Sequence, residues 1–159
     1  MTVASTFVSS HGDGYELQMG RWSRRLAPLF IRFAGTTGAV RVLDVGCGTG
    51  NLAMCLANDP GIVSVCGLDL SATYVEYANR RNVDARLGFQ VGDACALPFP
   101  DDSFDHAVSM LLLQFVPQAD SAVREMRRVT RPGGTVAAAT WDTRGGFVAL
   151  RMLYDAAAV

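Results

Sequence analysis

The stretch that decides the fold is Val42-Leu43-Asp44-Val45-Gly46-Cys47-Gly48-Thr49-Gly50. An apolar run from Arg41 to Val45 is closed by glycines, which predicts a buried strand that enters a tight turn and then a helix. Three glycines let the backbone bend sharply and approach a ligand closely. Ligands of open α/β sheets bind at the carboxyl ends of the strands. This turn is therefore the predicted centre of a binding site, with chain reversal alone as the simpler alternative.

Strand and helix patterns alternate after the turn. Apolar runs predict strands at Arg41 to Val45, Ile62 to Leu68, Leu87 to Val91, Phe104 to Leu112 and Thr135 to Trp141. Helical patterns and caps predict helices at Asn51 to Asn58, Ser71 to about Asn82, Asp120 to Thr130 and Phe147 to Ala158. Two prolines mark Leu97 to Ser103 as a loop. Strands alternating with helices indicate an α/β protein with a doubly wound parallel sheet.

The segment before the first strand is predicted to be helical from Tyr15 to Phe33. Its apolar residues recur at helical spacing and define one predicted buried face, made of Trp22, Leu26, Leu29, Phe30 and Phe33. Pro28 is expected to kink this helix or to begin a second one. Residues 1–13 are small and polar and are expected to form a flexible tail, which leaves 14–159 as one domain.

Composition excludes several classes of protein. Of 159 residues, 50% are hydrophobic and 18% are charged, so the chain is not disordered. Fourteen arginines face 15 acidic residues, and this near-neutral balance argues against a nucleic acid or anionic lipid partner. The longest apolar stretch, Ala107 to Val116, is shorter than the ~20 residues that span a membrane. No targeting segment is visible.

Cysteine and histidine usage argues against a metal site. The four cysteines, Cys47, Cys55, Cys66 and Cys95, form no CxxC pair, and the chain has two histidines, His11 and His106. Isolated thiols in apolar contexts indicate a reducing, cytoplasmic environment.

The glycine spacing bears on the ligand. Dinucleotide-binding turns read GxGxxG, whereas this turn reads GxGxG and has Asn51 where the third dinucleotide glycine would stand. Asp44 precedes the turn, where a carboxylate would repel a pyrophosphate but suit a cationic ligand. An NAD-linked oxidoreductase remains an alternative because it would share the fold.

The turn also resembles motif I of the class I S-adenosylmethionine-dependent methyltransferases. Further stretches resemble the same family in the same order, namely Gly67 to Ser71, Gly92 to Phe99, Phe104 to Val108 and Arg128 to Gly134. The resemblance covers about residues 41–141 and is most similar to the quinone-biosynthesis branch of small-molecule methyltransferases. It implies a Rossmann-like sheet in the order 3-2-1-4-5, S-adenosylmethionine as cofactor and a small-molecule methyl acceptor as substrate.

The resemblance also implies that the domain is incomplete at its carboxyl end. The family carries two further strands after the fifth, and the residues after Trp141 have room for one helix and no hairpin. The fifth strand would then be a bare sheet edge, which favours self-association. A cofactor-binding fragment or module without catalysis therefore remains an alternative to an enzyme.

Matching residue by residue gives a candidate cofactor site. The backbone of Gly46, Cys47 and Gly48 would approach the cofactor, Asp44 would lie near its amino group, and Asp69 would accept the ribose hydroxyls. Asp93 would take the adenine amino group and the Ala94 N–H a ring nitrogen. Leu70, Leu97 and Met110 are expected to form apolar walls or plain core, and Arg21 or Tyr15 to reach the cofactor carboxylate.

No catalytic residue is identified from the sequence. Arg124, Arg127, Arg128 and Arg131 recur at helical spacing and are expected to form a solvated face rather than a phosphate or RNA contact. His106 is expected to be packed in or beside the fourth strand, and His11 to lie in the tail.

Overall fold

The computed structural model of the chain describes residues 12–142 and residue 145. Its centre is a parallel sheet of five strands in the order β3-β2-β1-β4-β5, which confirms the predicted fold class. The strands are β1 (Arg41–Val45), β2 (Ser64–Asp69), β3 (Leu87–Val91), β4 (Phe104–Met110) and β5 (Thr130–Ala139). The helices are α1 (Gly12–Tyr15), α2 (Arg21–Ala34), α3 (Asn51–Leu56), α4 (Ala72–Arg81) and α5 (Ala119–Val129). A π-helical segment (Glu16–Gly20) joins α1 to α2, and a 3₁₀ turn (Leu113–Phe115) follows β4.

Strand β1 lies in the middle of the sheet because its side chains are buried on both faces. Val42 packs in one core cluster, together with Phe30 of α2 and Leu52 of α3. Leu43 and Val45 pack in a second cluster on the other face. Side chains alternate along a strand, so Asp44 shares the face of Val42. The carboxylate is thus carried by β1 into the interior beneath α2 and α3.

Several element boundaries differ from the predicted ones. Strand β4 ends at Met110 because Leu111 adopts a positive φ of 65°. Strand β5 begins at Thr130 rather than at Thr135, and Pro132-Gly133-Gly134 lies inside it as an irregularity in the pairing with β4. Helix α3 is two residues shorter than predicted. The predicted helix from Phe147 to Ala158 lies outside the described residues.

The amino-terminal helix departs from its prediction in three ways. Pro28 lies inside α2 and begins no second helix, so the interruption is the π-helical segment instead. Gly12 and Asp13, assigned to the tail, belong to α1. The predicted apolar face is only partly right. Phe30 is buried and Leu26 packs against the core, but Trp22, Leu29 and Phe33 are exposed, and the other buried residues of α2 are Ser23, Ala27 and Ala34. Small side chains let the helix approach the sheet closely, which large ones at those positions would prevent.

The basic stripe of α5 is only partly a solvated face. The Arg128 guanidinium donates to the carbonyl oxygens of Leu97 (3.0 Å) and Phe99 (2.8 Å) and pairs with Glu125 and Asp101. Its role is therefore to hold the loop that follows β3. Helical spacing alone does not distinguish such an arginine from a solvated one.

No helix within the described residues has the length and apolar character needed to cross a bilayer.

Candidate functional site

The glycine turn after β1 has the geometry that its sequence predicts. Gly46, Gly48 and Gly50 have φ values of 76°, 53° and 86°, which side-chain-bearing residues rarely adopt. The Gly46 and Cys47 N–H groups donate to the Leu68 carbonyl oxygen at 2.7 and 3.0 Å. The turn is therefore fastened to the end of β2 and presents a fixed backbone surface.

A cavity of about 600 Å³ lies at the carboxyl ends of the strands, beside this turn. Its lining includes Tyr15, Met19, Gly46, Gly48, Leu68, Asp69, Leu70, Ser71, Tyr74, Gly92, Asp93, Ala94, Cys95, Met110, Leu111, Leu112, Phe115, Val116, Pro117 and Gln118. Among the described residues, this lining contains two carboxylates and no arginine, lysine or histidine. The cavity is thus a largely apolar pocket with two acidic groups, Asp69 and Asp93, which suits a ligand that carries positive charge.

Most of the predicted site residues line this cavity. They are Tyr15, Gly46, Gly48, Asp69, Leu70, Asp93, Ala94 and Met110. Leu97 does not, because it is 4% exposed in the core cluster under α5. Arg21 lies outside the lining as well. It is exposed on α2 with its guanidinium 4.8 Å from the centre of the Trp22 ring.

Asp69 ends β2 and holds two backbone N–H groups with its two oxygens. Oδ2 accepts from Gly48 at 2.8 Å, and Oδ1 accepts from Ser71 at 2.9 Å. Burial raises the pKa of Asp69, and these two hydrogen bonds partly oppose the rise. Each carboxylate oxygen has further acceptor capacity, so Asp69 braces the glycine turn and still offers acceptors to a ligand. Ser71 caps α4 by accepting from the Tyr74 N–H, as predicted.

Asp44 lies beneath the glycine turn, beside a second cavity of about 10 Å³, which is room for about one water molecule. The residue is 1% exposed, and its Oδ2 has no hydrogen-bond partner among the described residues. Burial raises the pKa of Asp44 to about 7, the Asp69 charge acts in the same direction, and a hydrogen bond from the Ala53 backbone opposes both. Such an oxygen is the place where a cationic group would be stabilised.

Cys47 shares this small cavity, which Tyr15 and Met110 also line. Burial and the nearby charges of Asp44 and Asp69 raise the pKa of the Cys47 thiol well above its ordinary value. The thiol is therefore neutral and unsuited to nucleophilic attack.

Asp93 and Ala94 form a short turn after β3. The Asp93 Oδ1 accepts the Cys95 N–H at 2.8 Å, and an isolated bridge joins Asp93 to Ala96. Asp93 and Ala94 both line the large cavity, together with Asp69.

The amino-terminal helix covers the glycine turn through Tyr15, which the sequence singled out, and through Glu16, which it did not. Tyr15 packs on Tyr74, with ring centres 4.8 Å apart, and its hydroxyl lies 3.1 Å from the point where a Cβ on Gly48 would stand. Burial and the Asp69 charge raise the pKa of Tyr15, so it is a neutral phenol. The following residue, Glu16, accepts hydrogen bonds from Thr49 and Asn51. The one feature of the sequence that could have pointed to Glu16 is that it is the sole acidic residue between Asp13 and Asp44.

The segment after β4 forms the apolar side of the cavity. Leu111, Leu112, Phe115 and Val116 line it, and the positive φ of Leu111 begins the departure from the strand. Gln114 Nε2 donates to the Leu111 carbonyl oxygen at 2.8 Å and fixes this bend. Strained non-glycine backbone of this kind concentrates at functional sites.

His106 lies at the other end of the sheet. It pairs in register with Val42 near the start of β1, and its Nδ1 is buried without a partner among the described residues. Burial lowers its pKa, so it is a packed neutral imidazole rather than a base for this cavity. The described residues hold no cluster of metal-binding side chains.

Comparison with known proteins gives a consistent set of relatives. The family model described as "Methyltransferase domain" matches residues 43–138. An uncharacterised protein of Mycobacterium tuberculosis is 36% identical over 149 residues, which is 92% of this chain and 54% of the relative. A demethylmenaquinone methyltransferase of Renibacterium salmoninarum is 40% identical over 126 residues, which is 79% of this chain and 51% of the relative.

Solved structures share the same fold. The crystal structure of an S-adenosylmethionine-dependent methyltransferase from Mesorhizobium loti superposes with a TM-score of 0.65 at 30% identity, covering 71% of this chain and 51% of that one. The chain spans about half the length of the curated relatives it matches.

Proposed function

Because the chain belongs to the methyltransferase-domain family, we propose that it binds S-adenosylmethionine in the 600 Å³ cavity and transfers a methyl group to an apolar small molecule. The observation that carries the proposal is the acidic, base-free lining of the cavity. A dinucleotide would bring an anionic pyrophosphate to a turn flanked by Asp44 and Asp69, with no cationic side chain among the described lining residues. This charge pattern and the comparisons both argue against the NAD-linked alternative.

The residues fit this cofactor where its chemistry demands it. Asp69 would meet the ribose hydroxyls, and Asp93 with the Ala94 N–H the adenine edge. The partnerless Asp44 Oδ2 lies in the small cavity, which shares Tyr15, Gly46 and Met110 with the large one, and would attract the ammonium group from there. Leu70 and Met110 would contact the purine, and Tyr15 would cover the methionine half. A Cβ on Gly46 would fall 2.6 Å from Leu112 Cδ2, so the glycine leaves room for Leu112, which lines the cavity.

When bound, the cofactor supplies a methyl group already activated by a positively charged sulfur. The chain then has to hold the acceptor in line with that methyl group and exclude water, which is worth ~7–11 kcal/mol in favourable cases. The apolar segment from Leu111 to Val116 would form the side of the cavity that excludes water. Its composition favours an apolar acceptor, such as a quinone-like or phenolic ring. The alternative, a module that binds the cofactor without catalysis, would bind S-adenosylmethionine in the same cavity. It would differ from the proposed enzyme only in showing no methyl transfer.

The first test pairs a variant with a ligand analogue. Asp69→Ala is expected to weaken S-adenosylhomocysteine binding about 10- to 150-fold, the value of a charge-assisted hydrogen bond. A ligand analogue that lacks the two ribose hydroxyls should bind the parent protein more weakly, to a similar degree. The Asp69→Ala protein should bind the analogue and S-adenosylhomocysteine with nearly the same affinity. Calorimetry on the four combinations measures this coupling.

The ligand analogue is needed because Asp69 also braces the turn. Loss of the Gly48 and Ser71 hydrogen bonds would lower affinity by itself. It would, however, lower the affinity for S-adenosylhomocysteine and for the analogue without ribose hydroxyls equally. Additive effects in the four titrations would therefore remove Asp69 from the ribose site. Asp120→Ala, an exposed position in the first turn of α5, serves as the control and should leave affinity unchanged.

We also propose that the chain self-associates through β5 and that it acts in the cytoplasm. Within the described residues β5 pairs with β4 alone, and Val136 on it is 38% exposed. An edge without a charged outward side chain after Gly134 is open to pairing with another chain.

The free thiols of all four cysteines support the cytoplasmic placement.

Sedimentation velocity tests the association. Val136→Lys should shift the protein toward the monomer at concentrations where the parent is associated. Val63→Lys changes an equally apolar, 53% exposed residue away from the edge and should leave the distribution as it is. A parent protein that is monomeric at high concentration would refute the association.

A further inference from the structure

Glu16 occupies an unusual position for an acidic side chain near the surface. It begins the π-helical segment, and its side chain is 13% exposed. Oε1 accepts hydrogen bonds from Thr49 Oγ1 and from Asn51 Nδ2, the latter at 2.7 Å. The same oxygen lies 3.2 Å from Arg81 Nη1, and Oε2 pairs with Arg24. One carboxylate thus joins four partners from α2, the glycine turn, α3 and α4.

These contacts fasten one side of the cavity to the other. Tyr15 and Met19, on either side of Glu16 in the chain, line the cavity from the amino-terminal helix. Gly48 lines the cavity from the glycine turn, and Thr49 and Asn51 belong to the same turn and to the start of α3 that follows it. In the chain the two parts are 33 and 35 residues apart. These two hydrogen bonds tie the π-helical segment to the glycine turn and to the start of α3.

The local backbone is shaped to make room for this carboxylate. A Cβ on Gly20 would lie 2.7 Å from Glu16 Cδ, so any larger residue there would displace the side chain. The π-helical geometry supplies the wider turn in which the carboxylate folds back over Gly20, and π-helical turns are frequent at functional sites. Gly20 and Glu16 therefore act as one unit.

We propose that Glu16 is a latch that holds the Tyr15–Met19 helix over the bound cofactor and sets the rate at which the cofactor leaves. The inference rests on the proposed cofactor site. Glu16 is absent from the cavity lining, so it is a positioning residue and acts through Tyr15 and Met19. Changes in a contact that closes over a bound ligand act mainly on the dissociation rate.

Stopped-flow displacement of S-adenosylhomocysteine tests the latch. Glu16→Ala is expected to raise the dissociation rate about 10- to 150-fold, the range that loss of a charge-assisted hydrogen bond gives, with a smaller change in the association rate. Glu16→Gln should be intermediate, since its amide oxygen still accepts from Thr49 or Asn51 but no longer pairs with two arginines. Gly20→Ala should mimic Glu16→Ala without altering the carboxylate.

The matched control is Glu76→Ala, which removes an exposed glutamate paired with Arg80 on α4 and should leave both rates unchanged. Hydrogen exchange without ligand gives a second readout, in which the amides of residues 16–24 should exchange faster in Glu16→Ala and Gly20→Ala than in the control. Unchanged exchange and unchanged dissociation in both variants would overturn the latch. A parent protein that binds no S-adenosylhomocysteine would instead refute the cofactor site, while the exchange measurement still decides whether Glu16 fastens the helix.

Discussion

Gly46→Val is expected to lower the free energy of unfolding by about 2–5 kcal/mol and to abolish measurable cofactor binding. The residue has a φ of 76°, a left-handed conformation that is least accessible to β-branched side chains. An added Cβ would lie 2.6–2.8 Å from three carbon atoms of Leu112, one of them its Cβ. Because Leu112 Cβ is fixed to the backbone, the clash cannot be relieved by a rotamer change alone. Urea denaturation and calorimetry measure the two losses.

Gly88→Val provides the matched control for this substitution. Gly88 lies in β3, is exposed, and has nothing within 4 Å of its would-be Cβ. Valine is a better strand residue than glycine, so stability should hold or rise slightly. A Gly46→Val protein as stable and as tightly binding as the Gly88→Val protein would show that the described turn geometry is wrong.

The cofactor-free protein is expected to lose stability as the pH rises from about 4 to about 7, through Asp44. Burial raises the pKa of this carboxyl from 3.8 to about 7, so between these values the folded state holds a proton that the unfolded state has released. The stabilisation is complete below the unfolded pKa and is lost as the pH passes the folded pKa. The difference corresponds to about 4 kcal/mol at most. Urea denaturation across this pH range measures it.

Asp44→Asn separates the contribution of Asp44 from that of Asp69, whose pKa is raised in the same direction. The amide cannot ionise, so the variant should be more stable than the parent above pH 7 and should show a flatter pH dependence. It should also bind S-adenosylmethionine more weakly, since the ammonium would lose its charged partner. Affinity of the parent should rise with pH as Asp44 ionises. Identical pH profiles of stability in parent and variant would contradict the assignment, and Asp120→Asn is the exposed control.

The sequence was sufficient for the sheet and for the glycine turn because their signals are local. A run such as Val42 to Val45 closed by glycines has few other structures available. The acids at the end of β2 and just after β3 meet at one edge of the sheet by topology alone. The resemblance supplied the strand order, which no local pattern determines. The boundaries of β4 and β5 were less accurate, since Leu111 and Thr130 change conformation through long-range packing.

The parts that sequence reasoning missed depend on tertiary contacts. The apolar pattern of α2 places the large side chains Trp22 and Phe33 on the buried face. In the structure the small residues Ser23 and Ala27 are buried instead, because they allow the helix to pack closely. Glu16 carries no motif, because its partners are distant in the chain. Arg128 and Arg131 have the spacing of a solvated stripe, but the loop after β3 and Asp105 provide partners for them.

The central place of β1 has a consequence for how the chain is made. Among the described strands this one leaves the ribosome first, yet its neighbours are β2 and β4, and the pairing of Val42 with His106 spans 64 residues. Until β4 and α5 have been synthesised, one edge of β1 is unpaired, and Leu43 and Val45 lack most of the side chains that cover them. Such long-range parallel pairing folds slowly. A nascent chain arrested before Phe104 should therefore depend on chaperones, whereas one extended beyond Ala139 should close its own core.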